Sequence, residues 1–404
     1  MRSQFMGKKE NSRELVFYAD GLIYERDKEK FFKNNNKLQK VISSDGSDKT
    51  VNYSLEDFNN EIKNIVSSVI NLKYDNVIFL AGAGSSVVMD NGTINEKYGK
   101  TMKMIAQKIK EEFSEEVERL KKDSNYQKDI KDNLEDFLSH VIHYMPYATQ
   151  DLQGVVKKLL GVIKDNTKYR YNDMVMRHGA LLNVLSRLVT PPNKFSIVTT
   201  NYDLLFEGAA DEKNFTVFDG FSFQATSSFD ETMFDWNLVR DIPNIATREV
   251  EYKNNVFNLL KIHGSINWKK ESNKIVRKNG AVTDALMIFP SSDKYAQSYQ
   301  EPYFQLFSRF RELLKRKNTL LITSGFSFGD DHIATMITEA IKNNVSLRMI
   351  VTDYDIQKDK NKNWVKLREL IKDKYPIYFL KATLNGDLVD FLATSNKDVL
   401  HEHR

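Results

Sequence analysis

Residues that could do chemistry follow the apolar runs of this sequence at five places. Each run is typical of a buried strand in a parallel sheet, because both faces of such a strand are covered. The stretches that follow these runs are residues 82–86, 200–203, 263–264, 325–331 and 353–355. Ligands bind beyond the carboxyl ends of strands in open α/β sheets, so the five stretches together predict one site.

The first stretch is a candidate phosphate loop made of Gly82, Ala83, Gly84 and Ser85. Its two glycines have no Cβ, so the backbone can turn tightly and approach a ligand closely. Backbone N–H groups at such a turn, followed by a helix N-terminus, favour a phosphate. The dinucleotide-binding fingerprint needs a third glycine where this chain has Val87. A turn that binds nothing therefore explains this stretch, taken alone, equally well.

The second and third stretches carry the candidate catalytic groups. Thr200, Asn201 and Asp203 end the second apolar run, and His263 ends the third. An imidazole with an unperturbed pKa of ~6.5 suits a proton acceptor at neutral pH. Two alternatives stay open at this point, namely that Asn201 caps the helix that follows and that His263 is an ordinary buried side chain.

The fourth and fifth stretches extend the same pattern. Gly325 and Ser327 form a second glycine turn between an apolar run and a predicted helix. Asp353 and Tyr354 end the next run, and an acidic side chain at that place suits a ribose hydroxyl. We therefore expect these residues at the same edge of the sheet as the first three stretches.

The elements that would position these residues predict an α/β fold, a Rossmann-like open parallel sheet with a helical insertion after the first strand. The insertion is expected at about residues 95–190, where helical periodicity dominates. Residues 1–70 are predicted to be an N-terminal extension, irregular at first, with a leading helix capped by Ser54. Residues 71–404 are the predicted main domain, and its segment 211–256 lacks periodicity. Such a segment predicts a variable loop that acts as a lid or an interaction surface.

Composition excludes several classes of protein. The 404 residues are 41% hydrophobic and 28% charged, which is typical of a globular protein. No apolar run could span a bilayer and the N-terminus has no signal-peptide core, so we expect a cytoplasmic protein without a membrane segment. With no cysteine, the chain has no disulfides, thiolate zinc sites or cysteine nucleophiles. Its net charge of +4 does not indicate direct binding of nucleic acid.

The order of these motifs resembles the sirtuin superfamily. The matching residues are Gly82-Ala83-Gly84-Ser85, Thr199-Thr200-Asn201-Tyr202-Asp203, His263-Gly264 and Gly325-Phe326-Ser327. The longer segment 325–333 is similar to the bacterial sirtuin-like NADases of antiviral defence. The resemblance covers roughly residues 75–392. It implies an NAD+ glycohydrolase that releases nicotinamide and ADP-ribose and thereby depletes NAD during phage infection.

The resemblance also implies which residues would contact NAD+, the substrate. Those implied to bind the pyrophosphate and the adenosine ribose are Gly82, Ala83, Gly84, Ser85, Gly325, Ser327, Asp353 and Tyr354. At the reacting end, Asn201 would bond the ribose hydroxyl or the attacking water, and His263 would be the general base. Thr200 would lie at the nicotinamide end, and Asp203 would orient the loop.

Two departures from sirtuin deacylases argue against an acyl-lysine substrate. Those enzymes carry four zinc-binding cysteines, so no zinc is expected here. They also carry a Pro-Asp-Phe-Arg segment after the first glycine loop, where this chain has residues 87–92. Asp90 is the candidate that remains for orienting the nicotinamide-side ribose.

The resemblance further implies partners. Stand-alone chains of this kind work with a HerA-type hexameric DNA-translocating ATPase and form large homo-oligomers, for example dodecamers. Two other functions stay open on the sequence alone. One is a non-catalytic module that senses NAD or ADP-ribose, and the other is salt-dependent DNA binding through the basic residues 315–317.

Overall fold

A sheet of eleven strands organises the computed structural model, which describes residues 13–393 except 45–46, 91, 131–133, 243–249 and 288–300. The strands of the described ranges are β1 (Glu14–Ala19), β2 (Leu22–Asp27), β3 (Lys30–Lys33), β4 (Asn36–Lys37), β5 (Gln39–Ser44), β6 (Ser47–Asn52), β7 (Asn76–Ala81), β8 (Met89–Asp90), β9 (Thr93–Ile94), β10 (Phe195–Thr199), β11 (Thr216–Phe218), β12 (Val239–Asp241), β13 (Val250–Tyr252), β14 (Val256–Lys261), β15 (Trp268–Glu271), β16 (Lys274–Arg277), β17 (Thr319–Ser324), β18 (Arg348–Asp353) and β19 (Ile377–Lys381). In the large sheet their order is β11-β14-β10-β7-β17-β18-β19-β1-β2-β3-β4.

The seven strands from β11 to β19 in this order are parallel. Every residue of β7, β10, β14 and β17 is buried, as expected for strands covered on both faces. After β7 the chain forms β10, the edge strand β11 and then β14 between them, and it returns to build β17, β18 and β19 on the other side of β7. The predicted α/β class with an open parallel sheet is confirmed, and its topological switch point lies between β7 and β17.

The N-terminal segment is not irregular, which corrects the prediction for the part of residues 1–50 that the structure describes. Strand β1 pairs antiparallel with β19, and β2, β3 and β4 add further antiparallel strands. Phe17 and Tyr24 are fully buried, and Tyr24 packs edge-on against Phe58 with ring centroids 5.9 Å apart. These strands have two to six residues, and β1 pairs with a strand that is distant in sequence, so the local sequence gives little signal for them.

Helices cover both faces of the sheet. They are α1 (Leu55–Ile70), α2 (Met102–Glu112), α3 (Ser114–Asp123), α4 (Leu134–Tyr144), α5 (Gln150–Asp165), α6 (His178–Arg187), α7 (Leu205–Glu212), α8 (Tyr303–Lys315), α9 (Asp331–Asn343), α10 (Lys362–Lys372) and α11 (Leu388–Leu392). The predicted cap of α1 is confirmed, since Ser54 Oγ accepts a hydrogen bond from the Asp57 amide in a full capping box. None of the helices in the described ranges combines the length and apolarity that crossing a bilayer requires.

Helices α2 to α5 enclose a small core of their own, built from residues such as Ile109, Phe137 and Leu159. Helix α6 packs instead on the main sheet, where Leu181 and Leu185 join its core. The segment at 95–190 therefore contains one compact group of helices and a last helix that belongs to the sheet.

The expectation of a loop at 211–256 is wrong for much of that segment. It contains β11, the antiparallel pair β12–β13 and a 3₁₀ turn at Glu231–Asp235, while residues 243–249 lie outside the described residues. Phe218, Phe221 and Phe234 are buried in the core on one face of the sheet. These aromatic residues lack helical or strand periodicity because they reach the core from turns and short strands.

A fully buried histidine makes stability depend on pH. The ring of His178, at the start of α6, contacts Phe206 edge-on with ring centroids 4.9 Å apart, and neither ring nitrogen has a hydrogen-bond partner among the described residues. Burial lowers the pKa of His178 to about 3. Because the unfolded chain binds this proton below pH ~6.5 and the folded chain does not, the free energy of unfolding falls as pH decreases between those values.

We expect His178→Phe to flatten this pH dependence. Between pH 6.5 and pH 5 the wild type should lose about 2 kcal/mol through this group alone, since each pH unit corresponds to about 1.4 kcal/mol. Urea unfolding at several pH values measures the difference, with His140→Phe as the control at an exposed histidine. Equal pH slopes for wild type and His178→Phe would contradict the prediction.

Candidate active site

The predicted site residues follow strand positions that lie level with one another. Ala81 of β7 pairs with Thr199 of β10 and with Ser324 of β17, and Thr199 pairs with Lys261 of β14. Ser324 pairs in turn with Thr352 of β18. The five stretches therefore leave the sheet side by side at its carboxyl edge, around the topological switch point.

The two glycine turns touch each other directly. The Gly82 amide donates to the Ser324 carbonyl over 3.0 Å, and the Gly84 amide donates to the Gly325 carbonyl over 3.0 Å. A Cβ on Gly82 would lie 2.5 Å from the Gly325 oxygen, and Gly325 itself has φ +61. These glycines are needed because two backbones meet with no room for a side chain between them.

This contact affects the predicted phosphate loop. The Ser85 amide donates to the Gly82 carbonyl over 2.9 Å, and the buried Ser85 hydroxyl donates to the same carbonyl over 2.7 Å. The amides of Gly82, Gly84 and Ser85 are thus already bonded within the protein, whereas Ala83 is exposed. A phosphate on this loop stays a prediction, and Ala83 is its most accessible contact.

Asn201 ties the end of β10 to the first glycine turn. Its Nδ2 donates to the Gly82 carbonyl over 3.0 Å, to Ser85 Oγ over 3.2 Å and to Ser86 Oγ over 2.9 Å. The alternative that Asn201 caps the next helix is wrong, because α7 begins at Leu205. Asn201 is half-buried, as is Thr200, whose amide donates to the Ala81 carbonyl over 3.1 Å.

Asp203 contacts the first glycine turn from the buried side. Its carboxylate accepts from Ser86 Oγ over 2.7 Å and from the Leu205 amide over 3.2 Å. Burial raises the pKa of the Asp203 carboxyl group. Asp203 is therefore connected to Asn201 through Ser86. Its side chain is buried and holds the loop in place from inside the protein.

Lys261 belongs to this network and is not one of the predicted site residues. Its side chain is only 2% exposed, and Nζ donates to the Asp203 carbonyl and, over 3.0 Å, to the Glu207 carboxylate. Burial also raises the pKa of Glu207, while the lysine charge opposes that shift. The sequence signal was a lysine at the end of an otherwise apolar strand, where a buried cation needs a partner.

His263 lies at the other side of the edge, beside a carboxylate. His263 Nε2 is 3.3 Å from Asp330 Oδ2, and the two side chains are 4% and 7% exposed. The other oxygen of Asp330 caps α9 by accepting from the His332 and Ile333 amides over 3.1 and 3.2 Å. Asp330 was not among the predicted site residues, although an aspartate between a glycine and an apolar helix is a typical cap signal.

The second glycine turn is held by side chains of α10. The Ser327 carbonyl accepts from Asn361 Nδ2 and from Trp364 Nε1, each over 2.8 Å. Ser327 itself remains exposed, with its hydroxyl accepting from the Gly329 amide over 3.3 Å. The structure thus presents Ser327 to solvent at a fixed position next to Gly325.

At the end of β18 the two predicted residues differ in access. Asp353 is buried and its carboxylate accepts from Lys360 Nζ and from the Asp355 amide, the latter over 3.0 Å. Burial raises the pKa of Asp353, and Lys360 counteracts the shift. Tyr354 is 68% exposed, with Lys360 Nζ 4.4 Å from its ring centroid, so Tyr354 is the more accessible of the two.

Asn385 holds the first glycine turn from outside the sheet, and no sequence pattern indicated it. Its Nδ2 donates to the Ser85 and Val87 carbonyls over 3.1 and 3.0 Å. Its Oδ1 accepts from the Arg177 amide over 3.0 Å, next to the start of α6. Asp90, the remaining candidate for the nicotinamide-side ribose, lies exposed on β8.

Within the described ranges, no group of three or more His, Cys, Asp or Glu side chains is arranged to hold a metal ion.

Part of the chain is similar to a known family. The model of a family described as a SIR2-like domain matches residues 196–371. This segment contains Asn201, His263 and Asp330, while the first glycine turn precedes it. No curated protein matches the chain.

A solved structure described as "Structural Basis for the Mechanism and Regulation of Sir2 Enzymes" is also similar, at 12% sequence identity. The alignment covers 85% of this chain and 98% of that chain, with a TM-score of 0.36. A likeness this distant says nothing about the activity of this chain.

We expect Lys261→Met to destabilise the protein by about 3 kcal/mol, because it leaves the buried Asp203 and the half-buried Glu207 carboxyl groups without their cation. Guanidinium unfolding at pH 7 measures the loss, and Lys270→Met on the exposed part of β15 is the matched control. The double variant Lys261→Met/Glu207→Gln should recover part of the loss. Wild-type stability of Lys261→Met would show that the network contributes nothing.

Proposed function

We propose that this protein is an NAD+ glycohydrolase, and the match of residues 196–371 to the model of a SIR2-like domain supports the proposal. The reaction breaks the bond between nicotinamide and ribose, consuming NAD+ and water and giving nicotinamide, ADP-ribose and a proton. The observation that carries the proposal is the pair Asn201 and His263, which follow the neighbouring strands β10 and β14 at the carboxyl edge of the sheet.

The chemistry asks little of the protein beyond positioning. Cleavage of a glycosidic bond passes through an oxocarbenium-like state. Nicotinamide leaves NAD+ as a neutral molecule, so its departure needs no general acid. Asn201 would hold the ribose hydroxyl or the water, and His263 would accept the proton that the water loses as its oxygen bonds to the ribose carbon.

Burial supports this division of roles. His263 is nearly inaccessible to bulk water, so few competing nucleophiles reach it. Asn201 is half-buried and fixed to the glycine turn by three hydrogen bonds. A sugar held against Asn201 would therefore meet a rigid surface, which is what orientation of a reacting group requires.

The length of the site supports a dinucleotide. Four strand spacings separate β14 from β18 in the sheet, which is about 19 Å at 4.8 Å per spacing. His263 follows β14, and the exposed Tyr354 follows β18. A ligand that reaches both must be extended, and between them it would pass the exposed Ala83 and Ser327.

The biological setting is part of the proposal and rests on the resemblance of residues 325–333 to NADases of antiviral defence. The enzyme would deplete NAD in phage-infected cells from within the cytoplasm. It would act as a large homo-oligomer under the control of a HerA-type hexameric ATPase, without binding nucleic acid itself. No zinc enters this proposal, since the chain has no cysteine to form a thiolate site.

One observation favours a second candidate, a module that binds NAD or ADP-ribose without cleaving it. The amides of Gly82, Gly84 and Ser85 already have protein partners, and Asp353 is paired with Lys360. A site whose groups are satisfied in this way could accept a ligand more weakly, through its exposed residues alone. Such a module would bind NAD and release no nicotinamide.

We expect His263→Ala and Asn201→Ala each to lower nicotinamide release at least about 100-fold, the usual contribution of a positioned proton acceptor or of lost orientation. Chromatography of nicotinamide and ADP-ribose, with and without the partner ATPase, measures the rate. His140→Ala, on α4, is the control and should keep wild-type turnover.

Calorimetric titration with ADP-ribose shows whether the variants still bind the product. If the wild type binds ADP-ribose but releases no nicotinamide with or without the ATPase, the second candidate function, a non-catalytic sensing module, is correct. If His263→Ala retains wild-type turnover, the assignment of His263 as the base is wrong.

A further inference from the structure

We propose that the amino edge of the sheet, where its parallel strands begin, is a docking surface for a partner protein that presents a cluster of carboxylates. This surface, the basic edge, consists of the connections that lead into the neighbouring strands β7, β17, β18 and β19. Each connection runs from the last two residues of the preceding helix to the first residue of the strand, which gives residues 69–76, 314–319, 342–348 and 371–377. The candidate active site lies at the opposite, carboxyl edge, so the inference does not depend on the proposed hydrolysis.

Positive charge is concentrated on the basic edge. Its four connections contain eight basic and two acidic residues, a net charge of +6 against +4 for the whole chain, so the remainder of the chain has a net charge of −2. All of the basic residues are exposed except Arg348, which is half-buried. They are Lys73, Lys315, Arg316, Lys317, Lys342, Arg348, Lys372 and Lys374.

These cations have no carboxylate partners of their own. Within the part of the chain that the structure describes, none of the eight forms an ion pair. Of the two acidic residues, Asp75 accepts a hydrogen bond from Asn318 Nδ2 over 2.7 Å, and Asp373 is a single exposed carboxylate. Because clustered like charges create a strong local potential, a negatively charged surface that faces the basic edge is attracted to it.

Helix ends explain only part of this pattern. The carbonyl groups that end α8, α9 and α10 favour a cation in the last turn, where Lys315, Lys342 and Lys372 lie. Lys73 and Lys374 follow the ends of α1 and α10 by three and two residues. The dipole effect falls off within the last turn, so it does not account for the lysines that lie beyond it.

The backbone of the basic edge favours a protein partner over a nucleic acid. The helices α1, α8, α9 and α10 all end there, so carbonyl groups with partial negative charge lie at this surface. Phosphate groups only accept hydrogen bonds and bind at helix N-termini instead. A polypeptide brings N–H donors for the carbonyl groups together with carboxylates for the cations.

Two apolar side chains lie among the cations. Val345 is 96% exposed and Leu72 is 43% exposed, and they precede β18 and β7, which are separated by one strand. Protein interfaces combine apolar contacts at the centre with a polar rim, and the basic edge has both kinds of group. The partner therefore presents carboxylates around at least one apolar side chain.

Fluorescence polarisation with a labelled polyglutamate peptide tests the proposal, and a labelled DNA duplex is the comparison probe. The variant Lys317→Glu/Lys342→Glu/Lys374→Glu reverses one exposed cation on each of three connections. Lys157→Glu/Lys158→Glu/Lys270→Glu is the matched control, because it changes the net charge equally at exposed lysines outside the basic edge. Both variants should unfold at the wild-type temperature, since neither removes an ion pair within the described ranges.

We expect the wild type to bind polyglutamate more tightly than the duplex, with an affinity that falls as the salt concentration rises. The variant on the basic edge should bind polyglutamate about ten-fold more weakly or worse, whereas the control should stay within about two-fold of the wild type.

Four results would overturn the proposal. Tighter binding of the duplex would make the basic edge a nucleic-acid surface, and equal losses in both variants would mean attraction to net charge alone. A wild type that binds no polyglutamate at low salt has no acidic docking surface. Light scattering that shows an oligomer lost only in the edge variant would make the occupant a second copy of this chain. Nicotinamide release is measured separately, so failure of the proposed hydrolase leaves these outcomes unchanged.

Discussion

The site depends on the contact of two backbones. The turns after β7 and β17 meet through Gly82, Gly84 and Gly325 without a side chain between them. Two hydrogen bonds of 3.0 Å between amide and carbonyl groups fix the distance between the turns. The side chains that bond to either turn are therefore positioned by this contact. Asn201 is bonded to the first turn, and Asp330 begins the helix after the second. The candidate catalytic residues are thus placed by one small region of close packing.

Two buried acid–base groups flank this contact, and they differ in kind. On one side, Lys261 is enclosed with Asp203 and Glu207 in a network that faces the interior. On the other, His263 Nε2 lies 3.3 Å from Asp330 Oδ2, and both side chains are nearly buried. The first arrangement is typical of a structural support, because its charges are neutralised locally. The second contains His263, the base of the proposed reaction.

Much of the fold could be predicted from the sequence, because its strongest signals are local. The strands β7, β10, β14 and β17 are rich in apolar residues and buried on both faces, so their carboxyl ends could be identified without a structure. The candidate site could be predicted only as a set of strand ends. Its internal bonds, such as those of Asp330 and Asn385, join residues far apart in sequence and leave no local pattern. The same reason explains β1, whose partner is β19, and the buried Phe221 and Phe234 in a segment without periodicity.

The pairing of β1 with β19 bears on how the protein is made. Phe17 and Leu380 are register partners although 363 residues separate them in sequence. The first strand must therefore wait, during synthesis on the ribosome, until nearly all of the described chain has emerged. The two glycine turns also belong to distant parts of the chain, so their contact forms late. Folding that depends on such remote contacts is slow, and partly made chains expose unpaired strand edges meanwhile. Under the proposed function this delay has a consequence, since nascent chains would be inactive towards NAD+ until the sheet is complete.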